Sequence, residues 1–392
     1  MPSSIRKALN ELPVSLDETY DRILQNIPKQ KWQHAHRLFQ CMVAAIRPLR
    51  VEELAEIFAI GFGPNAAPNL VEDWRPENPE EAVFSACSTL ITIIINDSDA
   101  ESDTESYAKG SKIVQFSHFS VKEYLTSDRL QISDIASIRN FYISLELAHT
   151  ILARACLTVL LQLGEKADEE QIAAFPLSLY AARNWVDHAN FENVASHIQN
   201  AMEDLFNPKK PHLKTWIQIH NVDEFEMPVD KFSPTFALYY AALCGFHGLA
   251  RQLIITHALD VNGRVHFNYT PLEAASRGGH VDVARLLLDN GADVNACDIY
   301  QTPLFRASSR GHLKFVQLLL EHGADLNIRP FSYLTPLHAA LNAGSLEIVR
   351  LLLDHGANVQ IRVRGLTMFQ LATSKGYHDI AQLLLDRGAE RE

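Results

Sequence analysis

The sequence predicts a mainly α-helical protein, in which a helical N-terminal half is followed by a solenoid of stacked helical repeats. A Gly-Ala motif, followed by Asp, Asn or Glu, recurs at Gly291, Gly323, Gly356 and Gly388, at intervals of 32, 33 and 32 residues. A fixed period of this length is typical of stacked helical units. The residues before this array lack the period and combine helix-like apolar spacing with two β-rich runs.

Each repeat can be interpreted from its own residues. Thr-Pro-Leu begins at Thr270, and the same motif recurs one period later and again one period after that. Thr270 is a helix cap, and Pro271 suits the first helical turn, where its missing N–H is not needed. A second helix with an apolar stripe follows, and Gly291 ends it. The unit is therefore a helix, a turn, a second helix and a long turn.

The motifs T-P-L-x-x-A, G-H, L-L-L and G-A-D-x-N recur in this order, and the array resembles ankyrin repeats. The first unit lacks Thr-Pro and the last degenerates to Thr-Met-Phe from Thr367, as expected for end units that face a different neighbour. The resemblance implies an ankyrin-repeat α-solenoid over 231–392. Its five expected repeats are 235–262, 268–295, 300–327, 333–360 and 365–392.

The resemblance also implies where a partner binds, because ankyrin proteins grip partners with the turn tips and the ends of the first helices. Tyrosine and arginine are also the residue types that most often anchor interfaces. The alternative is that some of the rings only pack on a neighbouring turn. The expected tip residues are His266, Phe267, Ile299, Tyr300, Phe331, Tyr333, Arg362 and Arg364, and the expected helix-end residues are Arg277, Arg310 and Lys375.

The turn before each Thr departs from the ankyrin pattern at two positions. The family usually has Gly two residues before this Thr, where φ is positive. Here the position holds Asn268, Tyr300, Tyr333 and Gly365. Asn and Gly tolerate positive φ, whereas the two tyrosines leave the shape of their turns open. His338 occupies a position that is structural in ankyrin repeats, where it hydrogen-bonds the turns, and no nucleophile pattern accompanies it.

Composition and charge narrow the class of protein. The chain has 392 residues and a formal net charge of −12, which argues against a nucleic acid or an anionic membrane as partner. Its five cysteines are dispersed, which predicts reduced thiols and an intracellular, cytoplasmic protein, with a nuclear location also open. The N-terminus lacks a signal-peptide core, and residues 145–163 predict a buried helix rather than a membrane span.

The N-terminal half predicts helices followed by a two-stranded wing, which describes a winged helix over 1–126. Two strands, at 90–95 and 112–116, flank an acidic, Ser-rich hairpin loop. A helical linker region is expected over 127–230. The helices of the winged part are expected at 12–24, 31–46, 50–60 and 79–90.

Four strings in this half resemble one known region, the winged-helix segment that follows the NACHT nucleotide-binding domain in fungal NACHT–ankyrin proteins. They begin at Leu12 (LPVSLDETYDRIL), Arg47 (RPLRVEELAE), Gln115 (QFSHFSVKEYL) and Phe175 (FPLSLYAARNWVDHA). The same module is known from GPI inositol-deacylase-like proteins. The resemblance implies a packing and switching element. DNA binding is not expected, because the candidate recognition helix at 79–90 is acidic and apolar.

The motifs that carry chemistry do not occur in the sequence. It contains no G-x-x-x-x-G-K-[ST], no G-x-S-x-G and no H-E-x-x-H, so no catalytic residue, cofactor site or metal site is predicted. We therefore expect a non-enzymatic protein that binds a protein partner through the concave face and turn tips of the array, and no small-molecule substrate. The resemblance places it at the sensing end of a NACHT-type (STAND) signalling protein, in fungal non-self recognition.

A transcriptional cofactor that acts through the winged helix is a weaker interpretation, and one stronger alternative function stays open. The nucleotide-binding domain of the resembled proteins would lie before Leu12, and eleven residues precede that position. We therefore expect a truncated member, a separate gene product or a gene-model fragment. The alternative is that this chain is part of a nucleotide-driven STAND ATPase switch, whose NACHT domain is encoded upstream or supplied in trans.

Overall fold

The computed structural model describes residues 15–62, 69–96, 110–164, 168–220, 232–328 and 334–391. The chain divides into two compact units. The N-terminal unit reaches Leu205 and also takes in residues from Thr215 to 220. The C-terminal unit comprises Phe206–Lys214 and the described residues from 232 onward. The fold is mainly helical, as the sequence predicts.

The first four described α-helices of the N-terminal unit have buried faces that follow the apolar spacing of the sequence. Ser15 caps the first helix by accepting a hydrogen bond from the Glu18 N–H (3.2 Å), and Asn78 caps a later helix in the same way through the Glu81 N–H (3.2 Å). These helices are α1 (Leu16–Gln25), α2 (Trp32–Ala44), α3 (Val51–Phe58) and, after a short ribbon, α4 (Pro79–Cys87).

Two antiparallel ribbons accompany these helices. The short ribbon pairs β1 (Ile60–Gly61) with β2 (Asn69–Leu70). The longer one pairs β3 (Ile91–Ile95) with β4 (Lys112–Phe116), in a register that places Ile91 opposite Phe116. The order of helices followed by a β-ribbon is the order that the sequence predicts. Most of the expected acidic hairpin loop, residues 97–109, lies outside the described residues.

The rest of the N-terminal unit is helical. Its long helix α8 (Leu145–Gln162) packs against α2 and α10. Among the described residues, α8 is the one helix long and apolar enough to cross a membrane by length and composition, and 56% of it is buried inside the unit. The other helices that follow β4 are α5 (Ser120–Leu125), α6 (Asp128–Gln131), α7 (Ala136–Arg139), α9 (Glu169–Ala174), α10 (Ser178–Ala189), α11 (Val194–His197) and α12 (Gln199–Leu205). The next helix, α13 (His212–Ile219), is divided between the two units at Thr215.

A buried ion cluster joins two of the strings singled out in the sequence. The Glu53 carboxylate is fully buried and accepts hydrogen bonds from Arg47 (2.7 and 2.8 Å) and from the Arg50 side chain (3.0 Å). Arg50 also donates to the Pro176 carbonyl (3.0 Å), and the Leu177 N–H donates to Glu56 (2.7 Å). The Arg47 string thus holds the Phe175 string in place.

The C-terminal unit is a stack of five helical pairs. Neighbouring first helices pack against one another, and so do neighbouring second helices, which produces two layers. The first helices are α14 (Thr235–Leu243), α16 (Pro271–Gly278), α18 (Pro303–Arg310), α20 (Pro336–Asn342) and α22 (Met368–Ser374). The second helices are α15 (His247–His257), α17 (Val281–Asp289), α19 (Leu313–Glu321), α21 (Leu346–Asp354) and α23 (His378–Asp386).

Candidate protein-binding surface of the repeat array

The first helices of the array begin as the sequence predicts. The Thr270 hydroxyl accepts a hydrogen bond from the Glu273 N–H (3.3 Å), and Thr302 and Thr335 repeat this cap. A proline occupies the first turn of all three helices. Thr367, without a following proline, forms a reciprocal capping box with Gln370 (3.0 and 3.1 Å). The start of each of these helices is therefore fixed locally.

Histidines connect successive repeats. The His280 ring bonds to the Leu243 carbonyl of the preceding repeat (3.0 Å), and the His312 ring bonds to the Arg277 carbonyl (3.3 Å). Each carbonyl lies at or near the end of a first helix, where it lacks an intrahelical partner. His338 is also buried, but its ring contacts the Asn342 side chain one turn along the same helix (3.1 Å) rather than the expected turn. All three histidines are built into the fold.

Polar side chains also join the long turns. Asn262 donates to the Gly291 carbonyl (2.9 Å) and accepts from the Asp293 N–H (2.7 Å). Asn295 accepts from the Asp325 N–H one repeat later (2.8 Å), and Gln360 donates to the Gly388 carbonyl (2.6 Å). These bonds fix the spacing between repeats at the base of each turn.

We use "finger" for the part of a long turn that leads to the next first helix, at residues 263–269, 296–301 and 361–366; residues 329–333, before Thr335, lie outside the described residues. The first of these fingers matches the expected turn chemistry. Its tip residues Phe267 (φ 58°) and Asn268 (φ 66°) lie in the left-handed region, and Gly365 (φ 84°) does so in the last finger. The expectation that Asn268 and Gly365 take positive φ is confirmed.

A carboxylate closes the second finger. The Asp298 side chain accepts hydrogen bonds from the Tyr300 and Gln301 N–H groups (2.5 Å each). Asp298 therefore holds a turn that lacks the usual glycine, and it does so with a bulky residue at the tip. Tyr300 is 55% exposed as a result. The sequence left the shape of this turn open, and the structure shows that Asp298 fixes it rather than Tyr300.

Asp298 belongs to a buried ion cluster that spans two repeats. Arg306 of α18 bonds to Asp298 (2.5 Å), and its other nitrogen bonds to Glu273 of α16. The arginine also lies over the Tyr269 ring, 5.3 Å from its centroid. Both carboxylate side chains are fully buried, so the one guanidinium serves two carboxylates.

The shortage of positive charge perturbs both acids of this cluster. Burial raises the pKa of Glu273 well above its ordinary value, and the neighbouring Asp298 carboxylate adds to the rise. Burial alone would raise the pKa of Asp298 as well, but the interaction with Glu273 and the hydrogen bonds from Tyr300 and Arg306 outweigh it and lower the pKa. Asp298 thus carries the negative charge, and Glu273 is the acid that holds a proton most readily.

Six of the nine predicted interface residues that the structure describes are exposed to solvent. Phe267 is 40% exposed at its tip and packs on the His266 ring, 4.0 Å between centroids. Ile299 is half-buried beside the exposed Tyr300. Arg310 and Lys375 are exposed at the ends of their first helices, and Arg362 and Arg364 are exposed in the last finger.

Two of the predicted arginines bond to side chains within the array. Arg277 is half-buried and donates to the Tyr239 hydroxyl of the preceding repeat (3.2 Å). Arg362 pairs with Glu390 (2.9 Å). Phe331 and Tyr333 lie outside the described residues.

The structure adds a cleft that the sequence did not indicate. It has a volume of about 460 Å³ beside the first finger. His266, Phe267 and Ile299, all predicted tip residues, form part of its wall. The remaining lining residues are Ser233, Phe236, Arg264, Val265 and Asn268.

Sequence reasoning missed Glu273, Asp298 and Arg306, although one signal was present. Arg306 occupies a position that is Ala274 and Ala339 in the neighbouring repeats, and an arginine among small residues at a packed position needs a buried partner. The partners themselves are eight and 33 residues away in the chain, so only the stacking of repeats identifies them.

This arrangement defines the class of protein. Helical pairs with Thr-Pro starts, inter-repeat histidines and projecting fingers form an ankyrin-repeat array in the C-terminal half. Comparison with known families agrees. The family described as ankyrin repeats (3 copies) matches residues 210–298, 238–330 and 304–391 in overlapping stretches.

Individual known proteins are similar in sequence to different parts of this chain. Azaphilone pigments biosynthesis cluster protein L of Monascus ruber is 33% identical over 305 residues, covering 73% of this chain and 61% of that protein. That share is more than the ankyrin matches can supply, so the similarity includes part of the N-terminal half. The chain therefore spans less than two thirds of this relative's length.

Other similarities are confined to a short segment. Alpha-latrocrustotoxin-Lt1a of Latrodectus tredecimguttatus is 42% identical over 59 residues, which is 15% of this chain and 4% of the toxin. The Drosophila melanogaster ankyrin repeat and KH domain-containing protein mask is 40% identical over 63 residues, which is 16% of this chain and 2% of that protein. Segments of this length hold about two repeats.

Proposed function

We propose that this chain is a non-enzymatic protein-interaction module, which binds a protein partner through its fingers and first helices. The observation that carries the proposal is the pair of exposed aromatic tips, Phe267 and Tyr300, on fingers that are closed by hydrogen bonds. An aromatic ring that is already ordered loses little conformational freedom on binding, and aromatic residues often dominate interface energetics. The ankyrin array supports a protein-binding role in general.

The placement of reactive side chains supports a non-catalytic role. Burial raises the pKa of the Cys41 thiol to about 12 and also raises that of Cys156, so both thiols are poor nucleophiles. His188 is fully buried between Tyr180 (2.8 Å) and His149 (2.9 Å), where no substrate can reach it. These groups serve packing rather than chemistry.

We place the module in NACHT-type signalling or non-self recognition in a fungus, in the cytoplasm or the nucleus. Its N-terminal strings resemble the winged-helix segment that follows NACHT domains, and the relative from Monascus ruber is fungal. In this proposal the Arg47 and Phe175 strings, joined at Glu53 and Glu56, form the switching element. The proposal includes no nucleic-acid, membrane or small-molecule partner and no cofactor.

The alternative is a part of a nucleotide-driven STAND ATPase whose NACHT domain is encoded upstream or supplied in trans. A native transcript that continues 5′ through a P-loop would favour it. Stable native protein of the size of this chain, 44.0 kDa, would favour the self-contained binding module.

The test is affinity capture from source-cell lysate with the full chain and with the double variant F267A/Y300A. A matched control, I255A/Q317A, removes two exposed side chains from second helices. We expect a partner that the wild type and the control retain and the tip variant loses, with all three proteins equally helical by circular dichroism. Equal retention by the tip variant would place the interface elsewhere.

A further inference from the structure

We propose that the surface formed by the fingers and first helices, the finger face, binds an acidic segment of its protein partner. This inference rests on the proposed function and specifies the chemistry of the partner. It follows from how the charges of the array are distributed between its two sides.

The exposed charges among the described residues of the finger face all have the same sign. Among the described residues of the fingers, the first helices and the residue that follows each first helix, seven are Lys or Arg and two are Asp or Glu. The two acids are Glu273 and Asp298, both buried on Arg306, so neither offers negative charge to the solvent. The seven cations are Arg264, Arg277, Arg306, Arg310, Arg362, Arg364 and Lys375.

The opposite side of the array has the opposite balance. The second helices and the turns that follow them, residues 247–262, 281–295, 313–327, 346–360 and 378–391, form the outer face. Over these ranges, all of which the structure describes, eleven residues are Asp or Glu and six are Lys or Arg. Most of the acids are exposed, such as Asp289, Asp325 and Asp354. The array therefore has one basic side and one acidic side, a separation that its overall composition does not reveal.

Three finger-face cations are available to a partner. Arg310, Arg364 and Lys375 are exposed and form no ion pair in the part of the chain that the structure describes. Burial lowers the pKa of His338, and the charges of Lys375 and then Arg364 lower it further, which puts both cations in the electrostatic neighbourhood of one residue. Unpaired cations grouped on one face attract an acidic ligand and steer its approach.

The cleft beside the first finger adds an apolar site to this basic surface. Phe236, Val265 and Ile299 line it together with Phe267, and Arg264 stands at the same wall. A segment that combines acidic residues with an aromatic or aliphatic anchor would match both parts of the face.

An acidic peptide fits this surface better than a nucleic acid does. A polyanion with one charge per phosphate needs a continuous basic track, whereas here the outer face is acidic and the whole chain carries −12. A short acidic segment can lie on the finger face without approaching the outer one.

The test uses the full chain and a fluorescein-labelled peptide of about 15 residues, long enough when extended to cross several repeats. The peptide consists of Glu, Asp and three Trp. A matched peptide with Lys at each acidic position and a single-stranded DNA of equal length serve as comparisons. The protein variants are R310E/R364E/K375E on the finger face and R251E/K314E/R350E on the outer face, which change the net charge equally. Fluorescence anisotropy is measured at salt concentrations between about 50 and 200 mM, because added salt shortens the distance over which surface charges act.

We expect the acidic peptide to bind and the Lys peptide not to. The finger-face variant should weaken binding by about tenfold or more, since each exposed pair contributes modestly and reversal replaces attraction by repulsion. The outer-face variant should bind at least as well as the wild type, and salt should weaken binding. No binding of the acidic peptide, equal loss in both variants, or tighter binding of DNA would overturn the inference. Partner capture that depends on Phe267 and Tyr300 but not on charge reversal or salt would overturn it as well, while leaving the proposed function in place.

Discussion

Two buried ion clusters, one in each unit, have opposite ratios of cations to carboxylates. In the N-terminal unit, one carboxylate, Glu53, receives two arginines, Arg47 and Arg50. In the array, one arginine, Arg306, receives two carboxylates, Glu273 and Asp298. The first cluster has cations in excess, and the second has acids in excess.

The difference appears in the protonation of the two buried glutamates. Burial alone would raise the pKa of Glu53, but the bonds and charges of Arg47 and Arg50 outweigh it and lower the pKa. Burial raises the pKa of Glu273, and Arg306 does not compensate, since Asp298 competes for the same cation. One Glu273 oxygen has no hydrogen-bond partner. A buried glutamate is thus ionised and paired where cations outnumber acids around it, and it is protonated more readily where acids outnumber cations.

The largest effect is expected from E53Q, which removes the only negative charge at the centre of the Glu53 cluster. Two arginines would then lose the carboxylate that pairs with them, although both are partly exposed and can reach water. We expect a loss of about 3 kcal/mol in the free energy of unfolding of the N-terminal unit. Urea unfolding followed by tryptophan fluorescence measures it, because all four tryptophans (Trp32, Trp74, Trp185 and Trp216) lie in that unit.

The neighbouring E52Q is the matched control. Glu52 is exposed on the same helix turn, so its loss should change the free energy by less than about 0.5 kcal/mol. Equal effects of E52Q and E53Q would mean that the Glu53 cluster contributes nothing beyond an ordinary surface charge.

Acid should destabilise the N-terminal unit through His188. Burial and the neighbouring His149 lower the pKa of His188 to about 3, whereas the unfolded value is 6.5. Between these values the unfolded chain binds more protons than the folded one, so stability is lost as pH falls through that window. His188 alone should make the unit about 2 kcal/mol less stable at pH 5 than at pH 7.

Tryptophan-monitored urea curves at the two pH values test this, with H188Q as the comparison. The glutamine cannot be charged, and other histidines with lowered pKa, such as His34, His36 and His149, remain in both proteins. A smaller pH dependence in H188Q is expected. An unchanged dependence would assign the acid sensitivity to those other histidines.

Much of the array could be predicted from sequence because its signals are local and repeated. The cap at Thr270, the proline after it and the period at Gly291 each act within a few residues, and the helices begin and end close to the expected positions. The Glu273 cluster could not be predicted, because its members meet only when repeats stack. In the N-terminal half the same limit applied: the strings at Arg47 and Phe175 were recognised, but their joint contact at Arg50 and Pro176 needed the fold.

Glycines of the array should respond differently according to what lies beside them. Gly279 (φ 72°) and Gly323 (φ 80°) both take left-handed backbone, so alanine strains either site by about 1 kcal/mol. A methyl group on Gly279 would also lie 2.8 Å from the His312 ring, whereas Gly323 has open space around it. We expect G279A to cost about 1 kcal/mol more than G323A. Hydrogen–deuterium exchange of array peptides measures both, and equal costs would mean that His312 moves aside freely.

The smallest effect is expected from E273Q, the same change that is most costly at Glu53. Because burial raises the pKa of Glu273, its protonated form already resembles glutamine, so E273Q should alter the stability of the array by less than about 1 kcal/mol. An acid with a raised folded pKa contributes stability below its unfolded pKa and loses it as pH rises through the folded pKa. The stability of E273Q relative to the wild type should therefore increase from pH 5 to pH 8. Hydrogen–deuterium exchange in peptides that span Asp298 and Arg306 measures this difference. A cost near that of E53Q, or no change with pH, would show that Glu273 is ionised and paired, and the contrast between the two clusters would be wrong.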